Sequence, residues 1–159
     1  MSSKNKFSAL FLENQICFPL YAASRLTIKI YEPFLDKLGI TYTQYLVLLV
    51  LWQKNNLTVK EIGSILYLES NTLTPLLKRL EQKELLSRVR SEEDERKVFI
   101  SLTRKGEAFK NIAVEIPQQI IESFSDDAFS MEEAMQFQKQ LFMLIQILDK
   151  KLQLTANLK

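Results

Sequence analysis

The sequence predicts a mainly α-helical domain with one small β-hairpin, an expectation that rests on three observations. Apolar residues make up 47% of 159 positions, while Gly and Pro number only three and four, a balance that favours helices around one core. Apolar residues recur at three- and four-residue spacing over most of the chain. Alternation is confined to one stretch, where Val98, Ile100 and Leu102 interleave with Phe99 and Ser101, the period of a half-buried strand.

Taken in order, the first helical pattern spans about 14–38. Ile16, Leu20, Ala23, Leu26 and Ile30 form one stripe, with Cys17, Tyr21 and Ser24 beside it. Pro19 and Pro33 each remove a backbone donor, so a late start or bend near Pro19 and a kink at Pro33 are expected. Thr41, Tyr42, Thr43 and Gln44 make a capping box. It opens a strongly apolar helix, Tyr45 to Trp52, expected to be the central buried element.

A second capping box, Thr58 to Glu61, starts a helix whose Val59, Ile62, Ile65 and Leu66 are expected to face inward, and Tyr67, Leu68 and Glu69 supply a turn. In the helix that follows, Leu73, Leu76, Leu77 and Leu80 repeat at i, i+3, i+4 and i+7 and form a core face. Ser70, Asn71, Thr72, Thr74, Lys78 and Arg79 occupy the other face, where Asn, Thr and Arg match base-edge donors and acceptors and Lys meets phosphate. An ordinary solvated face is the plain alternative. The strand pair 86–90 and 98–102 tips the choice, because a charged hairpin placed directly after such a helix makes a winged helix-turn-helix, expected over about 41–103. Arg88 and Arg90 on the first strand join the candidate DNA contacts. In the connection, Asp94 and Arg96 are two apart, so the carboxylate can hold the guanidinium for entry into a narrow minor groove.

Beyond Thr103 a helix is expected from Gly106 to about Phe124, with apolar positions at Phe109, Ile112, Ala113, Ile116, Ile120 and Ile121 and a kink at Pro117. Ser130 to Glu133 caps a last helix striped by Phe137, Leu141, Leu144, Ile145 and Leu148, with Phe142 beside the stripe. Nothing else in the sequence is long enough to cover the terminal stripes. The helices at about 9–38 and 106–153 are therefore expected to dimerise, which sets two reading helices on a palindromic site.

Charge and composition narrow the function classes. The formal net charge is only +2, but residues 78–105 carry nine Lys or Arg against six acids and residues 106–159 five Lys against eight acids. A basic centre and an acidic end fit a DNA-contacting middle and a separate packing segment. With one Cys and no His, an intrachain disulfide, the usual zinc sets and a His-based triad are excluded, and no metal or cofactor is expected. No apolar run approaches the roughly 20 residues that span a bilayer, and no signal-peptide pattern opens the chain, so a cytosolic protein without a membrane partner is expected.

Three passages, LENQICFPLYAASR at 12–25, YEPFLDKLGITYTQYLVLLVLW at 31–52 and the stretch from 57 to 103 containing Asp94-Glu-Arg96, resemble the MarR family of bacterial regulators. Within it they resemble the organic-hydroperoxide-sensing OhrR type. The resemblance implies a single MarR-type domain over 1–159, with Cys17 as an oxidisable sensing thiol. Tyr31 and Tyr42 of the partner subunit would hydrogen-bond to it, and Tyr21 would line the site. A thiolate is the reactive form, and a helix N-terminus with phenol donors stabilises it without a neighbouring cation. Ile16, Phe18 and Leu46 would favour a greasy organic hydroperoxide. Two features depart from the pattern: Pro19 lies two residues after the thiol, and the tail beyond Leu152 has no assigned role.

The implied function is a homodimeric repressor, not an enzyme, that binds a palindromic double-stranded operator while Cys17 is reduced and releases it on oxidation. With no second cysteine in its chain, a sulfenic acid at Cys17 would pass to a mixed disulfide with a small cellular thiol or to over-oxidised acids. Three rival readings remain open at this point: a MarR-type regulator controlled by a small aromatic ligand, a thiol peroxidase, and a protein-binding module of the same shape. For a lone Cys beside apolar residues, an inert core thiol is the plain alternative.

Overall fold

In the computed structural model, residues 7–94, 96–123 and 130–156 are described. Two short 3-10 turns, Ser8–Leu10 and Leu12–Asn14, lead into helix α1, Cys17–Lys37. Helix α1 starts three residues later than the apolar pattern. Pro19 thereby falls in the first turn, where its missing N–H is one that no helix could have used. The helix also runs through Pro33 without a break. Its end is set by Gly39 in the left-handed region (φ 66°), where the Ile40 N–H donates to the Leu35 carbonyl (3.1 Å) and the Gly39 N–H to Asp36 (2.9 Å). This double return satisfies carbonyls that a helix end leaves open, and Leu35 and Ile40 are both buried beside it.

Helix α2, Tyr42–Gln53, follows after a 76° turn. Its capping box forms: the Thr41 N–H donates to Gln44 Oε1 (3.0 Å) and the Gln44 N–H to Thr41 Oγ1 (3.4 Å). Gln44 is buried and Thr41 exposed. Tyr45, Val47, Leu48, Val50 and Leu51 are buried as well, so α2 is the central element its sequence predicts.

Strand β1, Leu57–Thr58, adds what the sequence reading lacked. It pairs antiparallel with β3, Val98–Leu102, which pairs on its other side with β2, Leu86–Arg90. The sheet order is therefore β1-β3-β2, with Leu57 opposite Ile100 and Leu86 opposite Leu102. Helices α3, Val59–Leu66, and α4, Ser70–Gln82, fill the interval. Ile62, Leu73, Leu77 and Leu80 are fully buried, joined by Leu57, Leu85, Leu86 and Ile100. Ile65 departs from expectation, being 52% exposed. In a helix of only eight residues, Ile62 takes the inward position and Ile65 falls on the solvent flank.

The helix expected after Gly106, with a kink at Pro117, is three pieces: α5, Arg104–Ala108, α6, Lys110–Ala113, and α7, Ile116–Ser123. The start lies earlier because Thr103 Oγ1 accepts the Gly106 N–H (3.0 Å) and caps α5. The last break precedes Pro117, which has no N–H to return to the turn before it. Phe124 lies outside the described residues. Helix α8, Met131–Ala156, is capped by Ser130 and Glu133 as expected, and its helical hydrogen bonding continues past Leu152.

By contact density, residues through Ile116 form one unit and those from Pro117 a second. Among the described residues no single helix is long and apolar enough to cross a membrane, and no buried side-chain nitrogen or oxygen lacks a partner.

Candidate redox and nucleic-acid sites

Cys17 is the first residue of α1 and is exposed. Tyr21, one turn later on the same flank, is exposed too. Ile16, which precedes the thiol, is 86% exposed. Tyr31 stands fourteen residues beyond Cys17 on the same helix, about 21 Å along the axis at 1.5 Å per residue. It packs edge-on against Tyr42, ring centroids 4.9 Å apart, and lies 6.2 Å from Tyr45. The fold therefore assembles Tyr31 and Tyr42 within one chain and keeps them a helix length from that chain's own Cys17.

Tyr45 is a member of this cluster that sequence reasoning assigned only to the core. Its spacing of three from Tyr42, one helical turn, was the available signal. Burial pushes the Tyr31, Tyr42 and Tyr45 phenols above their ordinary range, and proximity of the rings to one another adds to the rise for Tyr31 and Tyr45. At neutral pH these are protonated hydroxyls able to donate. Tyr45 continues the cluster to Trp52 (6.4 Å), whose Nε1–H donates to the Gly106 carbonyl (3.0 Å).

The helix-turn-helix geometry follows from the Tyr67 backbone, in the left-handed region at φ 54°, with the Leu68 N–H returning to Gly63 (2.9 Å). The chain thus reverses sharply into α4. With the leucines of α4 committed to the core, Ser70, Asn71, Thr72, Thr74, Lys78 and Arg79 are all exposed. The Thr74 hydroxyl donates to the Ser70 carbonyl (2.7 Å) and that of Thr72 to Asn71 Oδ1 (3.2 Å), so each offers a partner mainly lone pairs. Pro75, unremarked in the sequence reading, sits inside α4 and removes the helical donor for the Asn71 carbonyl on this front.

In the wing, Ser91 N–H to Lys97 O (2.9 Å) and Lys97 N–H to Asp94 O (2.8 Å) close the turn. Asp94 Oδ1 accepts the Arg96 backbone N–H (3.1 Å) and its Nε–H (3.4 Å). The Arg96 side chain is 95% exposed and that of Asp94 34%. A carboxylate at the base and a guanidinium at the tip is the geometry required for a presented Arg. Arg90 is exposed, whereas Arg88 is partly buried, its Nε 2.8 Å from Glu81 Oε2 on α4. No group of three or more metal-ligating side chains occurs among the described residues.

The family model described as transcriptional regulator SarA/Rot matches residues 29–112. The organic hydroperoxide resistance transcriptional regulator of Bacillus subtilis strain 168 is 52% identical over 93% of this chain and 99% of that protein. The solved structure of reduced AbfR bound to DNA aligns over 90% of this chain and 97% of its own, with TM-score 0.72 and 38% identity. Overoxidised AbfR bound to DNA aligns over 91% and 99%, with TM-score 0.68 and 41% identity. These relatives are transcriptional regulators, not enzymes.

Proposed function

The chain belongs to the MarR/SarA family of winged-helix transcriptional regulators, on its organic-hydroperoxide branch, and from that premise we propose that it is a homodimeric repressor whose operator binding is switched by oxidation of Cys17. The observation that carries this reading is the separation of Cys17 from Tyr31 and Tyr42. One α1 holds the thiol at its start and Tyr31 about 21 Å away, so Tyr31 and Tyr42 reach a thiol only when a second subunit supplies them. An antiparallel pairing of two α1 helices does so twice. The exposed apolar side chains of α1, among them Phe18, Leu20 and Leu26, are the surface for that pairing.

The phenols remain protonated because burial raises them, and they stabilise the Cys17 thiolate as donors without a cation. Its sulfur attacks the distal peroxide oxygen; the O–O bond breaks, the alkoxide takes a proton and leaves as alcohol, and sulfur, oxidised by two electrons, becomes a sulfenic acid. A small cellular thiol then forms the S–S bond and water leaves. Overoxidised AbfR is itself found on DNA, so the bulkier mixed disulfide is assigned the releasing role here. It displaces the tyrosines and moves the two winged units apart. A hundredfold loss of affinity takes about 2.7 kcal/mol, within reach of a few buried hydrogen bonds.

DNA is met by the α4 front in the major groove and by Arg96 in the minor groove. The test is Cys17→Ser: it binds operator DNA like the parent protein and ignores cumene hydroperoxide with added thiol. Release of DNA by that variant would refute the cysteine switch and turn attention to a small ligand.

A further inference from the structure

Between α4 and the wing lies a hollow of about 470 Å³ lined by Thr74, Lys78, Arg88, Arg90 and Val98. Thr74 and Lys78 are one turn apart on α4, and Glu81 continues their flank. Arg88 and Arg90 are two apart on β2 and so share a face, with Val98 directly opposite Arg90. Three cations and no acid line the hollow. Glu81 stands at its edge and takes the Nε side of Arg88 (2.8 Å), the side chains being 26% exposed for Arg88 and 37% for Glu81.

We propose that this hollow seats one backbone phosphate of the bound duplex and that Glu81 is its positioning residue. The carboxylate holds Arg88 by one edge of its guanidinium fork, which leaves the other edge for the phosphate beside Lys78 and Arg90. A guanidinium serves an acid and a phosphate at once along two fixed edges of one plane; an ammonium has three donors but no such preset fork. The pair also ties the reading helix to the first strand of the wing, so the phosphate registers both elements on the duplex together. The seat reads no base. It rests on the DNA-binding function proposed above, and it moves Arg88 from free contact to held contact.

The experiment is an anisotropy titration of the full-length protein on its own upstream duplex and on a scrambled duplex, between about 50 and 200 mM salt. Arg90→Ala and Lys78→Ala weaken both complexes equally and lower the salt slope by about one contact each. Glu81→Gln adds net positive charge yet weakens both complexes about tenfold and lowers the slope by about one, as does Arg88→Lys. In Arg88→Ala, adding Glu81→Gln causes no further loss. Tighter binding by Glu81→Gln, an unchanged slope, or independent addition of the Glu81 and Arg88 effects would overturn the seat while leaving DNA binding intact. Failure of the unmodified protein to bind either duplex would overturn the DNA-binding reading beneath it.

Discussion

At the scale of single residues, the sharpest constraints are steric and electrostatic. A Cβ on Gly106 would lie 1.8 Å from the Leu85 carbonyl oxygen, a backbone atom with no room to yield. Gly106→Ala is therefore expected to lose at least about 2 kcal/mol of stability in urea unfolding. Arg96 stands clear of the wing, its guanidinium held by Asp94, so Arg96→Ala is expected to lower operator affinity about tenfold without shifting the thermal midpoint; unchanged affinity would show that the wing tip does not contact DNA. Burial raises the Tyr31, Tyr42 and Tyr45 phenols from 10.0. A raised folded value means that the stability they confer is full below pH 10 and is lost as pH climbs above it. Ultraviolet titration should show three phenols ionising late, and Tyr31→Phe should remove one of them. The α4 polar face was legible in a local pattern, whereas Cys17, Tyr31 and Tyr42 were marked only by the family resemblance. Tyr45 and Glu81 escaped both because their partners, Tyr31 and Arg88, come from other elements.

At the scale of elements, hydrogen bonding within four residues decided what was legible. The Thr41, Thr58 and Ser130 caps were readable as short motifs and form as read. Strand β1 was not, since two residues have no period and its partner lies some forty positions downstream. The break between α5 and α6 was hidden because apolar spacing persists across it, whereas Pro117 marked the interruption before α7. Glu61 accepts the Thr58 backbone N–H (2.8 Å) and its hydroxyl (2.7 Å), which holds its carboxyl below the usual value of 4.5, and the Ser130 amide and hydroxyl do the same for Glu133. A lowered folded value means that this support is complete above the ordinary carboxylate range and fades as pH falls through and below it. Glu61→Gln is expected to flatten the acid limb of the stability profile, and Thr58→Ala to cost about 1 kcal/mol at neutral pH.

At the scale of the whole molecule, the proposed switch needs two subunits. Phe142, Ile147, Leu148 and Leu152 are exposed on α8 in the single chain, and within the other unit so are Leu20 and Leu26 on α1, apolar side chains that a partner subunit would cover. The protein is expected to sediment as a dimer, and Leu148→Glu to shift it toward monomer and weaken operator binding in parallel. A monomeric parent would leave Cys17 without Tyr31 and Tyr42. The most direct test of the central claim is operator affinity of the reduced protein before and after one equivalent of organic hydroperoxide with a small thiol, followed by dithiothreitol. A redox switch at Cys17 gives tight binding, loss by about a hundredfold on oxidation, and recovery on reduction. Binding that is equally tight throughout would contradict it and reduce Cys17 to a surface thiol at the start of a helix.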